Sequence, residues 1–414
     1  ATAAPLLRDA AYTAGLDARH RFWDDDYEIY ASVTGSLVRG SPEAIARTQL
    51  DGVHNFQRPD DGVDYDPTRT RLFGDAQRLT LSKFGGGITR FQTVYQRFSP
   101  EFEINDVGFL SRADEQLFRN WFQLAFNTPT RFYQRATHNF NYWQYWTAGG
   151  LPTELGFNYN GHVQLRSFWW VHAGANLNGT GAVYDDRAAR GGPAVRRSPS
   201  RNVWVGFESD TRKRYTAALF TGTSRSDAGN SHDWYVEPSL TLRLASRLSG
   251  SVGLYYSHAV NDNQWRANFG DPTSDTTHYT FARLDQTTLR MTTRVNYTFT
   301  PSLSLQVYAQ PFVSSGTYSD WRELADPRSA RYDERYRPYA GGDPGGFESL
   351  QFRSNTVLRW EYRPGSTLFL VWAQGRQSFD GSPREFDLGR ARDEMFSLHP
   401  DNTLLVKLSY WLNP

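Results

Sequence analysis

The sequence predicts an all-β chain: a transmembrane antiparallel β-barrel of about 16–18 strands, with short periplasmic turns and long extracellular loops. Three observations carry that expectation. Hydropathy alternates with a period of two along most of the chain, connections of two sizes alternate between the alternating segments, and aromatic residues are abundant although no apolar run approaches a spanning helix.

The period is clearest at 289–299, where Leu289, Met291, Val295, Tyr297 and Phe299 share one face and Arg290, Thr292, Arg294, Asn296 and Thr298 the other. Two arginines on one strand face do not suit a dry sandwich core; they suit a wet lumen, with Leu289, Val295 and Tyr297 toward lipid. The next strand continues the rule with Leu305 and Val307. At 155–166, Leu155, Phe157, Tyr159, Val163 and Leu165 oppose Asn158, Asn160, His162, Gln164 and Arg166. At 236–244, Val236, Leu240, Leu242 and Leu244 oppose Glu237, Ser239, Thr241 and Arg243. The terminal stretch 404–412 carries Leu404, Val406, Leu408, Tyr410 and Leu412 on one face. The expected lumen-facing polar set is therefore Arg290, Arg294, Asn158, Asn160, Arg166 and Arg243.

Composition agrees. The chain has 414 residues with 15% aromatics, including 13 Trp and 23 Tyr, yet its mean hydropathy is −0.63. Amphipathic aromatics gather at membrane–water interfaces. The absence of cysteine removes disulfide scaffolds, thiolate metal sites and cysteine nucleophiles. The balance of 45 basic against 44 acidic residues gives no basic face for nucleic acid.

Short connections are expected at Asp24-Asp25-Asp26, Gly85-Gly86-Gly87, Thr128-Pro129-Thr130, Thr211-Arg212-Lys213, Ser246-Arg247-Leu248, Thr300-Pro301-Ser302 and Arg363-Pro364-Gly365. Long ones are expected at 39–69, 98–114, 186–200, 262–280, 320–346 and 380–399, with a short helix over 42–50 capped by Ser41 and started by Pro42. Turn parity places about 17 strands in the chain, an odd number for a bacterial barrel. The strand at 10–23 then needs a partner. The expectation is that residues 1–414 form one barrel domain completed by upstream strands, with a second polypeptide or direct pairing of 10–23 with the C-terminal strand at 401–413 as the alternatives.

Candidate chemistry is sparse. Asp60, Asp61, Asp64 and Asp66 cluster carboxylates in one loop, a pattern that calcium can use, but the spacing is not that of an EF-hand. The nine histidines are scattered, with no HExxH pair. His138 and His162 fall on faces read as polar, and no GxSxG elbow accompanies them. No enzyme constellation and no cofactor are expected; the acidic stretch is most simply a solvated extracellular loop, with a calcium ion there as the alternative.

Several stretches resemble one family: RDAAYTAGLDARHRF (8–22), VRGSPEAI (38–45), HNFQRPD (54–60), YDPTRT (65–70), SPEFEINDVGFLSRADE (99–115), FARLDQTT (281–288) and YTFTPSLSLQVYAQPFVSSGTY (297–318). Together they look like the C-terminal barrel of large bacterial proteins of unknown function that carry an N-terminal carbohydrate-binding family-9-like domain. The resemblance implies an outer-membrane location and a barrel that begins upstream of the segment resembling residue 8. It assigns no catalytic or sugar-binding residue to this chain.

Two functions fit these readings. One is a channel or transporter for a solute, favoured by the Arg-, Asn- and Gln-rich inner face. The other is a scaffold barrel whose Tyr/Arg-rich loops, such as 328–339, dock a protein partner. A membrane-embedded hydrolase is the weakest reading. The expected surroundings are outer-membrane lipid and lipopolysaccharide.

Overall fold

The computed structural model describes residues 7–60, 63–271 and 276–412. Its strands are β1 (Arg8–Phe22), β2 (Tyr27–Gly40), β3 (Arg71–Lys83), β4 (Thr89–Phe98), β5 (Glu115–Phe126), β6 (Tyr133–Trp146), β7 (Pro152–Leu165), β8 (Trp170–Asn178), β9 (Tyr184–Asp185) and β10 (Val195–Arg196). They continue with β11 (Ser200–Glu208), β12 (Tyr215–Ser226), β13 (Ser231–Ala245), β14 (Leu248–Phe269), β15 (His278–Thr300), β16 (Leu303–Leu324), β17 (Tyr336–Pro338), β18 (Gly346–Arg363), β19 (Ser366–Asp380) and β20 (Asp401–Ser409). Helices α1 (Pro42–Leu50) and α2 (Leu388–Ser397) lie in connections. Among the described residues no helix is long and apolar enough to cross a membrane.

Seventeen of these strands are nine residues or longer, enough to cross a membrane at a tilt, and β9, β10 and β17 are short pieces within loops. The long strands form one all-antiparallel sheet in which sequence neighbours pair, with β8 meeting β11 and β16 meeting β18 across the loops. This is the architecture of outer-membrane barrels. β1 ladders with β2 and β20 with β19; among the described residues neither has a partner on its other edge, so 11–21 and 402–412 do not pair with each other.

The side-chain alternation fixes two faces. Outward, large apolar groups are exposed, among them Phe140, Phe157, Val203, Leu240, Met291, Val295, Tyr297, Val406, Leu408 and Tyr410. Leu305 and Val307 share that face, because they stand directly across from Tyr297 and Val295. Leu289 shares it too, but its cross-strand partner Val313 is buried with Leu350 under Ala391 and Met395 of α2. This end of the outward face is therefore covered by protein. Helix α2 forms where only a long loop is expected; its cap is Asp387, whose carboxylate accepts from the Arg390 amide.

The seven short turns expected from the sequence all fall at one end. Gly86 and Gly87 both take φ of +68°, a left-handed conformation that glycine adopts without strain. The opposite end carries the long loops, with two departures from expectation. Residues 147–151 and 227–230 are tight turns at that end. The described residues of 262–280 are largely strand, because β14 and β15 run 22 and 23 residues and project well past the 9–11 or so that a bilayer needs. Helix α1 forms as expected, with the Ser41 hydroxyl accepting from the Ala44 amide and Pro42 in the first turn.

Loops 41–70 and 99–114 fold against the inward face of β2 and β3. Val38 and Leu72, on that face, pack under Ile45 and Phe56. Gly74 lies beneath the Phe102 backbone so closely that a Cβ there would overlap it. The Ser36 hydroxyl accepts from the Glu103 amide in the same contact. The core of this protein is therefore not the middle of the barrel but the layer of loops at its long-loop end.

Candidate functional site: the polar wall and its loop layer

On the inward face, antiparallel register places asparagines opposite one another. Asn139 pairs across from Asn160, Asn141 from Asn158, Asn158 from Asn176 and Asn176 from Asn202. Their amides link into a chain across β6, β7, β8 and β11. Asn139 Nδ2 donates to Asn160 (2.7 Å), Asn160 and Asn141 donate to Asn158 (2.6 and 2.7 Å), Asn158 donates to Asn176 (2.6 Å), and Asn176 to Asn202 (2.7 Å). Trp121 and Gln123 of β5 both donate to Asn139 Oδ1 at 2.9 Å. Each amide supplies a donor and an acceptor, so the ladder closes its own hydrogen bonds along the inward face.

Further round the wall, Arg290 and Arg294 line a recess of about 350 Å³ with Glu237, Ser239, Thr241 and Tyr255. The Arg290 guanidinium lies 3.6 Å from Glu237 Oε1 and over the Tyr255 ring, and Arg294 lies over Tyr308. These two arginines, with Asn158 and Asn160, share one face of the sheet. Arg243 shares the inward parity but serves the rim, donating to the Thr211 carbonyl at 2.7 Å. Arg166 is a correction: it lies in the turn after β7, not on the strand, and donates to Gln134 at 3.3 Å. His138 is another. It lies on the outward face, its Nδ1 2.8 Å from the Tyr159 hydroxyl, so it cannot serve a lumen site.

The loop layer is held by buried charge. The Arg58 guanidinium bridges Asp114 (2.7 Å) and Asp186, and all three side chains are at most 2% exposed. Arg112 reaches Asp186 at 3.0 Å. Arg187 donates to the Val53 and Ala113 carbonyls. Loops 41–70, 99–114 and 179–199 are thus locked to one another. The fourth, 325–345, joins through Arg335, which donates to the Arg196 carbonyl at 2.8 Å, and through Arg328, which reaches Asp60 at 3.1 Å. Burial pushes the Asp186 carboxyl up, but Arg112, Arg58 and Arg187 together hold it below the usual carboxylate range. Between this layer and the wall lies a cavity of about 720 Å³, bordered by Glu154, Arg190, Asp227, Asp233 and Tyr255.

The candidate calcium loop is not assembled. Asp60 accepts from the Ala194 amide and Arg328, and Asp66 accepts from Thr68 within its own turn. Among the described residues Asp60, Asp64 and Asp66 do not converge, and Asp61 lies outside the described residues. The one compact group of potential ligands there is Asp51, His54 and Glu103. Asp51 Oδ1 lies 3.1 Å from His54 Nδ1 while Glu103 Oε2 lies 3.8 Å from Nε2, on the opposite edge of the ring. Glu103 is also held by Arg8 at 3.0 Å. An imidazole between two carboxylates is a bracket between loops, not a chelate. Burial raises the Asp51 carboxyl, but the side-chain hydrogen bond and attraction of His54 together with the His54 and Val53 backbone amides lower it below the usual carboxylate range.

A family model described as a domain of unknown function, DUF5916, matches residues 30–413. None of the curated proteins matches the chain. Among solved structures, the siderophore receptor PirA of Acinetobacter baumannii is similar at 8% identity and a TM-score of 0.42, over 96% of this chain and 70% of that one. The ferric enterobactin receptor PfeA of Pseudomonas aeruginosa is similar at 9% identity and 0.42, over 96% and 69%. The outer-membrane channel DcaP of Acinetobacter baumannii is similar at 9% identity and 0.30, over 96% and 95%.

Proposed function

The chain belongs to the DUF5916 family, and from its geometry we propose that it is a bacterial outer-membrane channel for a polar solute, closed at its extracellular mouth by an interlocked layer of loops. One observation carries the reading. The inward face offers hydrogen-bonding side chains across successive strands, from Gln123 through the asparagine ladder to Asn202, and again at Arg290 and Arg294. Such a surface costs little to a hydrated solute and has no use in a dry core. The loops explain how such a channel stays shut, since buried ion pairs tie three of them together over one end.

Acid should release this closure. The Asp186 carboxyl ionises below its ordinary range. Its ion pairs therefore contribute fully above the unfolded pKa of about 3.9 and are lost as pH falls through the lower folded value. In planar bilayers the protein is expected to give small, infrequent current steps at neutral and mildly acidic pH, and larger steps once the pH drops below the ordinary carboxylate range. An inserted protein that stays electrically silent across that range contradicts the channel reading and favours a scaffold.

A further inference from the structure

The inward wall holds a pair of histidines that the sequence scatters and the register brings together. His162 on β7 stands directly across from His172 on β8. Their Nδ1 atoms are 2.8 Å apart, with ring centroids at 5.0 Å. From this geometry we propose that His162 and His172 form a bis-imidazole site for a divalent first-row transition-metal ion, bound through the two Nδ1 atoms and open to the lumen.

The spacing is the first argument. Metal–imidazole bonds of about 2.0–2.1 Å, meeting at roughly 90–109°, put the two nitrogens about 2.9–3.4 Å apart. The pair needs to spread by a few tenths of an ångström to accept an ion. The second argument is the outer shell. A ligating histidine commonly donates its other ring N–H to a carbonyl or carboxylate, which fixes its tautomer. Here His162 Nε2 lies 3.0 Å from Asn160 Oδ1, so the end of the asparagine ladder orients it. His172 Nε2 is buried and without a hydrogen bond, yet Glu208 Oε1 stands 3.6 Å away. A metal on Nδ1 fixes the proton on Nε2 in both rings, where each acceptor already waits.

The surroundings hold the rings in place. His172 is stacked between Trp170 and Phe220, at centroid distances of 5.7 and 5.6 Å, and Trp204 tilts against His162. Those rings fit because Gly174 and Gly206 lie beneath Trp204 and Phe220; a Cβ at either glycine would run into the ring. Imidazole donors with no thiolate favour copper, nickel or zinc over calcium and magnesium, and copper(II) binds tightest in the usual order. The site stands on local geometry and does not depend on whether the lumen conducts.

The test uses the full chain in detergent micelles, titrated with Cu²⁺ and read by electron paramagnetic resonance. The wild type is expected to show two nitrogens on one copper. His162→Gln and His172→Gln should each reduce this to a single nitrogen and weaken binding. Glu208→Gln should keep the two-nitrogen signature and weaken affinity about 10-fold, as loss of an outer-shell partner does. Quenching of Trp204 and Trp170 fluorescence by Cu²⁺ reads the same site in any variant whose yield is too low for resonance. Equal Cu²⁺ affinity in the wild type and the double variant overturns the proposal. So does a one-nitrogen spectrum in the wild type, or quenching that survives loss of both histidines.

Discussion

Replacing Arg58 with alanine is expected to unlock the loop layer. The guanidinium sits between Asp114 and Asp186, both essentially without solvent access. Removing one partner of a buried ion pair leaves uncompensated charge and costs roughly 3–5 kcal/mol. The lower end applies here, because Arg112 still reaches Asp186 and the Ala148 amide still donates to Asp114. Lysine should not restore the wild type, since a single ammonium cannot fork to two carboxylates as a guanidinium does. Limited proteolysis of the protein in liposomes reads the outcome: cleavage within 51–60, 99–114 and 179–199 should rise in Arg58→Ala while the strands stay protected. Unchanged protection of those loops would mean that the apolar contacts of Ile45, Phe56 and Phe102, and not the ion pairs, hold the layer.

The second large effect lies on the wall. Val295 is exposed on the outward face and Arg294, its neighbour, lies over Tyr308 on the inward one. Val295→Arg places a guanidinium against hydrocarbon, at a cost of about 2–4 kcal/mol near the bilayer midplane. Its assembly into liposomes should fall sharply. Arg294→Leu should assemble at the wild-type yield, because the inward face is not in lipid, and should change the ion selectivity of the lumen. The reverse pattern, with Val295→Arg assembling normally and Arg294→Leu failing, would invert the assignment of faces.

The wall was legible in the sequence because a strand writes its two faces into alternate residues. Arg290, Arg294, Asn158 and Asn160 needed only that period. Arg166 failed at a boundary, since the period does not mark where a strand gives way to its turn. His138 failed for a related reason: its neighbours Ala136 and Phe140 share its face, and reading that face as polar mistook its parity. The asparagine ladder was half visible. Its members lie on four strands, and only the register of those strands joins Asn139, Asn141, Asn176 and Asn202 to the two already named. The same is true of His162 and His172, ten residues apart in sequence and directly opposed in the sheet. The loop layer was the least legible. Arg58, Asp114 and Asp186 come from three loops, and no local pattern announces contacts across 56 or 128 residues. The carboxylates at 60–66 formed the conspicuous cluster, yet Asp60 accepts from the Ala194 amide and Arg328 while Asp66 accepts from Thr68 in its own turn.

The absence of cysteine makes the most direct test of the two-faced wall a clean one. Single cysteines placed in turn at 290, 292 and 294, and at 291, 293 and 295, can be probed in liposomes with a charged, water-soluble maleimide and with a lipid-soluble one. The even positions should react with the charged reagent and the odd positions with the lipid-soluble reagent alone. Labelling by the charged reagent at odd and even positions alike, or at the odd positions only, would contradict a strand with one face on lipid and the other on a polar lumen.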